Sequence, residues 1–217
     1  FVYHSGLLMK PVFAAAKHAP KRRVVYCEGE EDRVLRAVQV VIDEGIAHPI
    51  LVGRPHVVQM RIEKLGLRMR PNVDFDLINI DDDPRYREYW TLYHRLMERK
   101  GVSVEYAKRE ARRRTTLIGS MLMLRGEADA MLCGTFGHYQ LHLDFVMNIL
   151  GCKPGVNNVA AMNALMTPQG AIFITDTYVH HDPSPEVLAE ITVMAAEVVR
   201  RFGVTPKVAL LSHSSFG

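Results

Sequence analysis

Short apolar runs that alternate with longer segments of helical period predict an α/β fold with mostly parallel sheets. Three observations carry this expectation. Runs such as Val24-Val25-Tyr26 and Ile50-Leu51-Val52 are short and largely β-branched or aliphatic, which suits strands buried on both faces. Between them, apolar residues return at helical spacing, as in Val34, Leu35, Val38, Val41 and Ile42. Glycines such as Gly45, Gly66 and Gly203 stand where those helical segments run out.

Taken in order, Arg23–Cys27 reads as the first strand, running into Glu28-Gly29-Glu30-Glu31-Asp32 and an acidic helix start that suits the positive end of the helix dipole. Pro49–Gly53 is the second strand, followed by a helix to about Leu65. Leu77–Ile80 is the third, and Asp81-Asp82-Asp83-Pro84 turns into a helix through Met97. Ser103 can cap one long helix reaching about Leu124. Asp129–Cys133 is a strand, Tyr139 to Leu150 a helix, and Ala171–Thr175 a further strand. Ser184 and Pro185 open a helix that buries Leu188, Ile191, Ala195, Val198 and Phe202. Val208–Leu211 reads as the last strand.

Composition narrows the class. Of 217 residues, 48% are hydrophobic and 24% charged, which excludes disordered, collagenous and coiled-coil chains. No run approaches the ~20 apolar residues of a membrane helix. The excess of 27 Lys and Arg over 24 Asp and Glu gives +3, too small and too mixed to predict a field for nucleic acid or a membrane surface. Cys27, Cys133 and Cys152 are odd in number and far apart, which argues against a disulfide framework or a zinc site and for a reducing, cytoplasmic compartment. A start at Phe1 without a signal pattern reads as a piece of something longer.

In open α/β sheets ligands lie beyond the carboxyl ends of the strands. That rule selects four loops: Glu28-Gly29-Glu30, Gly134-Thr135-Phe136-Gly137-His138, Thr175-Asp176-Thr177 and Ser212-His213-Ser214-Ser215. Small and hydroxyl-bearing residues there can hold phosphate oxygens, and the competing reading is that they are ordinary tight turns. Neither GxGxxG nor GxxxxGK[ST] occurs, so dinucleotide or triphosphate binding has no motif. His138 and His142 stand at helical spacing but lack the glutamate of a zinc-helix motif, so solvated or core histidines are favoured over a metal. Lys108, Arg109, Arg112, Arg113 and Arg114 form the strongest basic cluster, read as a solvated helix face rather than a nucleic-acid site.

Four segments together resemble the phosphate acetyltransferase family: Val25-Tyr26-Cys27-Glu28-Gly29-Glu30-Glu31-Asp32-Arg33-Val34-Leu35, Arg125-Gly126-Glu127-Ala128-Asp129-Ala130-Met131, Phe173-Ile174-Thr175-Asp176-Thr177-Tyr178-Val179, and Phe202-Gly203-Val204-Thr205-Pro206-Lys207-Val208-Ala209-Leu210-Leu211-Ser212. The opening Phe1-Val2-Tyr3-His4-Ser5-Gly6 and the loop Cys133-Gly134-Thr135-Phe136-Gly137 resemble more closely the C-terminal phosphotransacetylase-like domains of bacterial NADP-dependent malic enzymes. The resemblance implies two α/β/α lobes with a cleft between them. Residues 1–20 would be a connector from an upstream catalytic region, 21–138 the first lobe and 139–217 an incomplete second lobe.

It also implies an acetyl-CoA or phosphate site at Gly134, Thr135, Gly137, His138, Thr175, Asp176, Thr177, Ser212 and Ser214, with no residue assigned a catalytic role. Gly137 and His138 replace the family's His-hydroxyl pair, Asp144 stands where an Arg is usual, and Phe216 stands where a Lys is usual. The implied function is therefore an acetyl-CoA-responsive regulatory and oligomerisation module. The implied parent decarboxylates malate to pyruvate with NADP and a divalent metal, Mg or Mn, held outside this region. The implied partners are the upstream malic enzyme region and further copies in a dimer or larger oligomer, built through Ile191, Met194 and Val198. The competing reading is an active phosphate acetyltransferase.

Overall fold

A computed structural model describes residues 2–211. The chain divides into two compact units, residues 16–151 and residues 1–15 with 152–217. The chain opens with α1 (Val2–His18), which contains Pro11, where sequence suggested a connector.

In the unit of residues 16–151, β1 (Arg22–Tyr26), β2 (Ala47–Val52), β3 (Asp76–Ile78) and β4 (Ala130–Leu132) form a parallel sheet of order β3-β2-β1-β4. β1 pairs with β2 on one side and β4 on the other, so the order reverses between β1 and β4. The period-2 alternation of the strands sorts their side chains into two cores. Tyr26 and Leu51 face α2 (Asp32–Asp43) and α3 (Pro55–Leu65), packing with Leu35, Val38, Val58, Ile62 and Phe75. Val25, Cys27, Ile50 and Val52 face the opposite layer of α4 (Tyr86–Met97), α5 (Val104–Arg113), α6 (Thr115–Leu124) and α7 (Tyr139–Ile149). α7 packs into this unit through Phe145 and Ile149, with the Phe145 ring 6.2 Å from that of Tyr93.

The long helix expected from Ser103 is two helices, broken at Arg114, whose backbone is extended (φ −115°, ψ 96°). The physical reason is a change of environment. α5 is amphipathic, whereas Thr116–Leu122 of α6 is buried on every side. Ser103 does cap α5, accepting the Tyr106 N–H at 3.2 Å. The basic cluster is engaged within the chain: Lys108 lies 4.8 Å over the Trp90 ring, Arg109 over Tyr106, and Arg112 over Tyr86.

In the other unit, β5 (Met162–Thr167) and β6 (Gly170–Thr175) form an antiparallel hairpin. β5 carries no strong β pattern, and sequence reading missed it. α8 (Pro185–Arg201) follows, capped by Ser184, which accepts the Val187 N–H at 3.4 Å. Ile191 and Val199 are its buried residues, while Leu188 is exposed. The strand expected at Val208–Leu211 does not form, and Leu211 is 92% exposed. A β-branched run becomes a strand only with a partner for its backbone groups, and no ladder among the described residues takes it.

Candidate functional site

The reversal of strand order between β1 and β4 makes the carboxyl ends of those strands the place where an open α/β sheet holds ligands. The β1 end supplies Cys27, Glu28 and Gly29, and the β4 end supplies Cys133, Gly134 and Thr135. The sheet register continues one residue past both strands, because the Cys27 N–H donates to the Leu132 carbonyl at 3.0 Å. Helix α6 approaches this point closely. A Cβ at Gly119 would lie 2.5 Å from Cys27 Sγ and 2.7 Å from Met131 Sδ, so only glycine fits there.

Glu28, only 5% exposed, spans the two strand ends. Its Oε1 accepts the Gly134 N–H at 2.9 Å, and its Oε2 accepts the Thr135 hydroxyl at 3.4 Å. The backbone donor and the hydroxyl expected to face a phosphate thus meet a carboxylate of the chain itself. Beside it, Glu30 takes Arg54 in a bidentate pair at 2.8 and 2.7 Å and also accepts the Arg54 N–H. Those bonds hold the Glu30 carboxyl below the usual carboxylate range.

His142 in α7 fixes the far side of the loop. Its Nε2 donates to the Phe136 carbonyl at 2.9 Å, and its Nδ1 lies 2.7 Å from Thr116 Oγ1. Both ring nitrogens are therefore taken. Gly137 (φ +96°) adopts a conformation that favours glycine, with His142 Nε2 3.1 Å from where its Cβ would be. His138 precedes α7 and is exposed. Among the described residues no group of three His, Cys, Asp or Glu is placed to hold a metal.

Cys133 and Cys27 are neighbours across β4 and β1. The Cys27 thiol hydrogen-bonds Cys133, and this bond, with the nearby His142 and the Thr116 hydroxyl, pulls the Cys133 thiol below the usual range. The same bond and burial push the Cys27 thiol up. Sequence reading treated each cysteine alone. The signal that could have paired them was their matching place, each one residue past a strand end.

The loop after β6 lies in the other unit and is organised by Asp176. Its side chain, 4% exposed, accepts N–H bonds from Ala161 (3.0 Å), Tyr178 (3.1 Å), Val179 (3.1 Å) and His180 (2.9 Å). His180 Nδ1 adds a contact at 2.7 Å. These donors hold Asp176 well below the usual carboxylate range despite its burial. Asp176 thus shapes the loop, the Thr175 hydroxyl donates to the Ala161 carbonyl at 3.1 Å, and Thr177 Oγ1 is buried without a hydrogen-bond partner among the described residues. Ser212 and Ser214, with His213, Ser215 and Phe216, lie outside the described residues.

Comparison with known proteins gives this geometry a context. The family model for phosphate acetyl/butaryl transferase matches residues 7–217. The chain is 55% identical over all 217 residues to the NADP-dependent malic enzyme of Escherichia coli (strain K12), spanning 28% of that protein. It is 32% identical over 195 residues to the phosphate acetyltransferase of Nitratidesulfovibrio vulgaris, covering 90% of the chain and 27% of that protein. A phosphotransacetylase structure from Streptococcus pyogenes superposes with a TM-score of 0.84 at 25% identity, covering 96% of this chain and 63% of that one. The chain thus spans under a third of the curated relatives it matches.

Proposed function

This chain belongs to the phosphate acetyl/butaryl transferase family, and from that premise we propose that it is the C-terminal, acetyl-CoA-sensing and oligomerising domain of an NADP-dependent malic enzyme. The observation that carries this reading is the 55% identity along the whole chain to such an enzyme, against 32% to a phosphate acetyltransferase. The catalytic region of the parent is then the upstream partner. That region holds the NADP and the divalent metal (Mg or Mn) that convert malate to pyruvate and CO2. The sequence carries no dinucleotide fingerprint, and among the described residues no group of three His, Cys, Asp or Glu is placed to hold a metal, which supports setting those groups in the upstream region.

Binding without turnover follows from the residues at the loop. Gly137, His138 and Asp144 stand where the family resemblance leads one to expect a His-hydroxyl pair and an Arg. Each charge-assisted bond missing from a phosphoryl site removes ~1.5–3 kcal/mol. Transition-state stabilisation goes first, while ground-state binding of an acyl-CoA survives on Gly134 and Thr135 at the strand ends of the first unit. The free thiols Cys27, Cys133 and Cys152 support a cytoplasmic location. Assembly draws support from the apolar residues left exposed in the second unit, Leu165, Ile172, Ile174 and Val193. Of the helix residues first expected to join copies, Ile191 is buried, and Met194 and Val198 are half-buried.

The test is titration calorimetry with acetyl-CoA beside a malate-dependent NADPH assay on the full-length protein. The expected result is saturable binding with a coupling of ~1–3 kcal/mol to malate kinetics. Unchanged kinetics at saturating acetyl-CoA would end the regulatory reading. Acetyl phosphate formed from acetyl-CoA and phosphate would instead establish the second reading, an active acetyltransferase, which the N. vulgaris similarity favours.

A further inference from the structure

Cys27 and Cys133 occupy equivalent positions at the ends of adjacent parallel strands, at the point where strand order reverses. Both side chains point into the core shared with α6, where Cys27 is fully buried and Cys133 packs half-buried at the edge. We propose that they form a dithiol oxidised by hydroperoxides, in which Cys133 reacts first and Cys27 then closes a disulfide across β1 and β4.

The geometry supplies each requirement. Adjacent strands lie ~4.8 Å apart, within the ~4.4–6.8 Å that a disulfide spans between Cα atoms. The register carried past Tyr26 and Leu132 sets Cys27 beside Cys133, and both side chains lie in the same core layer, on one face of the sheet. Cys133 is the attacking group because it has access and a stabilising surround. Cys27, His142 and the Thr116 hydroxyl together lower the Cys133 thiol, and Thr116 Oγ1 lies 2.7 Å from His142 Nδ1. Glu28 faces the pair and, with burial, opposes the thiolate. Cys27 is inert alone and suited to resolve, being buried against Gly119 with its thiol protonated.

In the first step the Cys133 thiolate attacks one peroxide oxygen. The O–O bond breaks, a sulfenic acid forms, and the departing hydroxide takes a proton to become water. In the second, the Cys27 sulfur attacks the Cys133 sulfur, the S–O bond breaks, and the Cys27 proton leaves with the hydroxyl as a second water. Two thiols are oxidised and one peroxide is reduced.

The experiment treats the native protein with hydrogen peroxide, blocks remaining thiols and maps the peptides by mass spectrometry, with and without dithiothreitol. The expected product is a peptide pair joined Cys27 to Cys133, lost on reduction, while Cys152 stays alkylatable. Cys27→Ser should abolish the cross-link and leave a Cys133 sulfenic acid that a cyclic 1,3-dione traps. Cys133→Ser should abolish both the cross-link and any trapped adduct at Cys27. Because serine is near-isosteric, matched thermal melts of reduced wild type and variants exclude misfolding, and Thr116→Val offers a second variant that slows Cys133 oxidation while keeping both thiols. A wild-type protein that accumulates sulfenic acid at Cys133 with no cross-link overturns the proposal, as does oxidation confined to Cys152.

Discussion

In the unit of residues 16–151, β1 and β2 carry apolar side chains into a core on each face, whereas the hairpin β5–β6 meets a helix on one face. Phe173 turns to α8, its ring 5.4 Å from that of Phe202, but its neighbours Ile172 and Ile174 are 52% and 43% exposed. Leu165, paired with Ile172, is exposed beside them. The same family sequence therefore builds one unit whose central strands β1 and β2 are covered by the chain's own helices, with Leu132 of β4 left 55% exposed, and one whose hairpin presents apolar side chains to water. A two-stranded hairpin is marginal without a covered face. The difference is that the β1–β2 core is covered on both faces, while the hairpin leaves one apolar face uncovered among the described residues.

The sharpest way to break this comparison is a core truncation. Phe75→Ala removes a fully buried ring from the α2–α3 core and should cost ~3–5 kcal/mol in chemical denaturation. A small loss would mean that the first unit is not as closed as its packing implies. Next comes Asp176→Asn, which keeps the shape but removes the charge that collects four backbone N–H groups. A loss of ~1.5–3 kcal/mol is expected, seen as faster amide exchange at Tyr178, Val179 and His180. The sign of its pH dependence is fixed. Because the folded Asp176 titrates below its unfolded counterpart, its contribution is complete above the usual carboxylate range and is lost as pH falls beneath it. The difference between wild type and Asp176→Asn should therefore be constant near neutral pH and shrink as the pH falls through the acidic range.

Gly119→Ala tests the close approach of α6 to the sheet. A methyl 2.5 Å from Cys27 Sγ forces a shift worth ~1–3 kcal/mol, and thermal melts should fall accordingly. The smallest effect separates the two units most cleanly. Ile172→Ser should change the stability of the isolated chain by no more than ~0.5 kcal/mol, since the side chain is already exposed. In sedimentation experiments it should weaken self-association if the hairpin face joins copies, and an unchanged oligomer would remove that face from consideration.

How much was legible beforehand follows the same division. The four parallel strands were placed within a residue or two, because strands buried on both faces leave continuous apolar runs and glycines mark their ends. α8 was found through Ser184 and Pro185, whose capping chemistry is local. What escaped depended on partners distant in sequence. β5 exists through its register with β6, and Val208–Leu211 stays extended without one. The break at Arg114 was written in the passage from charged α5 to buried α6, but periodicity alone ran straight through it. At the site, sequence chose the ends of β1 and β4 and saw the small residues at positions 134 and 135. It did not see Glu28 as their partner, because nothing local says that a carboxylate will cross from β1 to β4.

That carboxylate turns the loop into a competition. Tethered to the next strand, the Glu28 side chain faces the Gly134 N–H and the Thr135 hydroxyl at an effective concentration above the ~mM that even flexible linkers provide. A dilute free anion meets donors that already have an internal occupant, so weak or small anions are excluded by mass action. A visitor succeeds only by gaining additional contacts elsewhere along its length, as a long acyl-CoA can. The displaced Glu28 would then have to leave its buried seat. Occupancy would be converted into a movement of the β1 loop, next to Glu30 and the Arg54 that it holds.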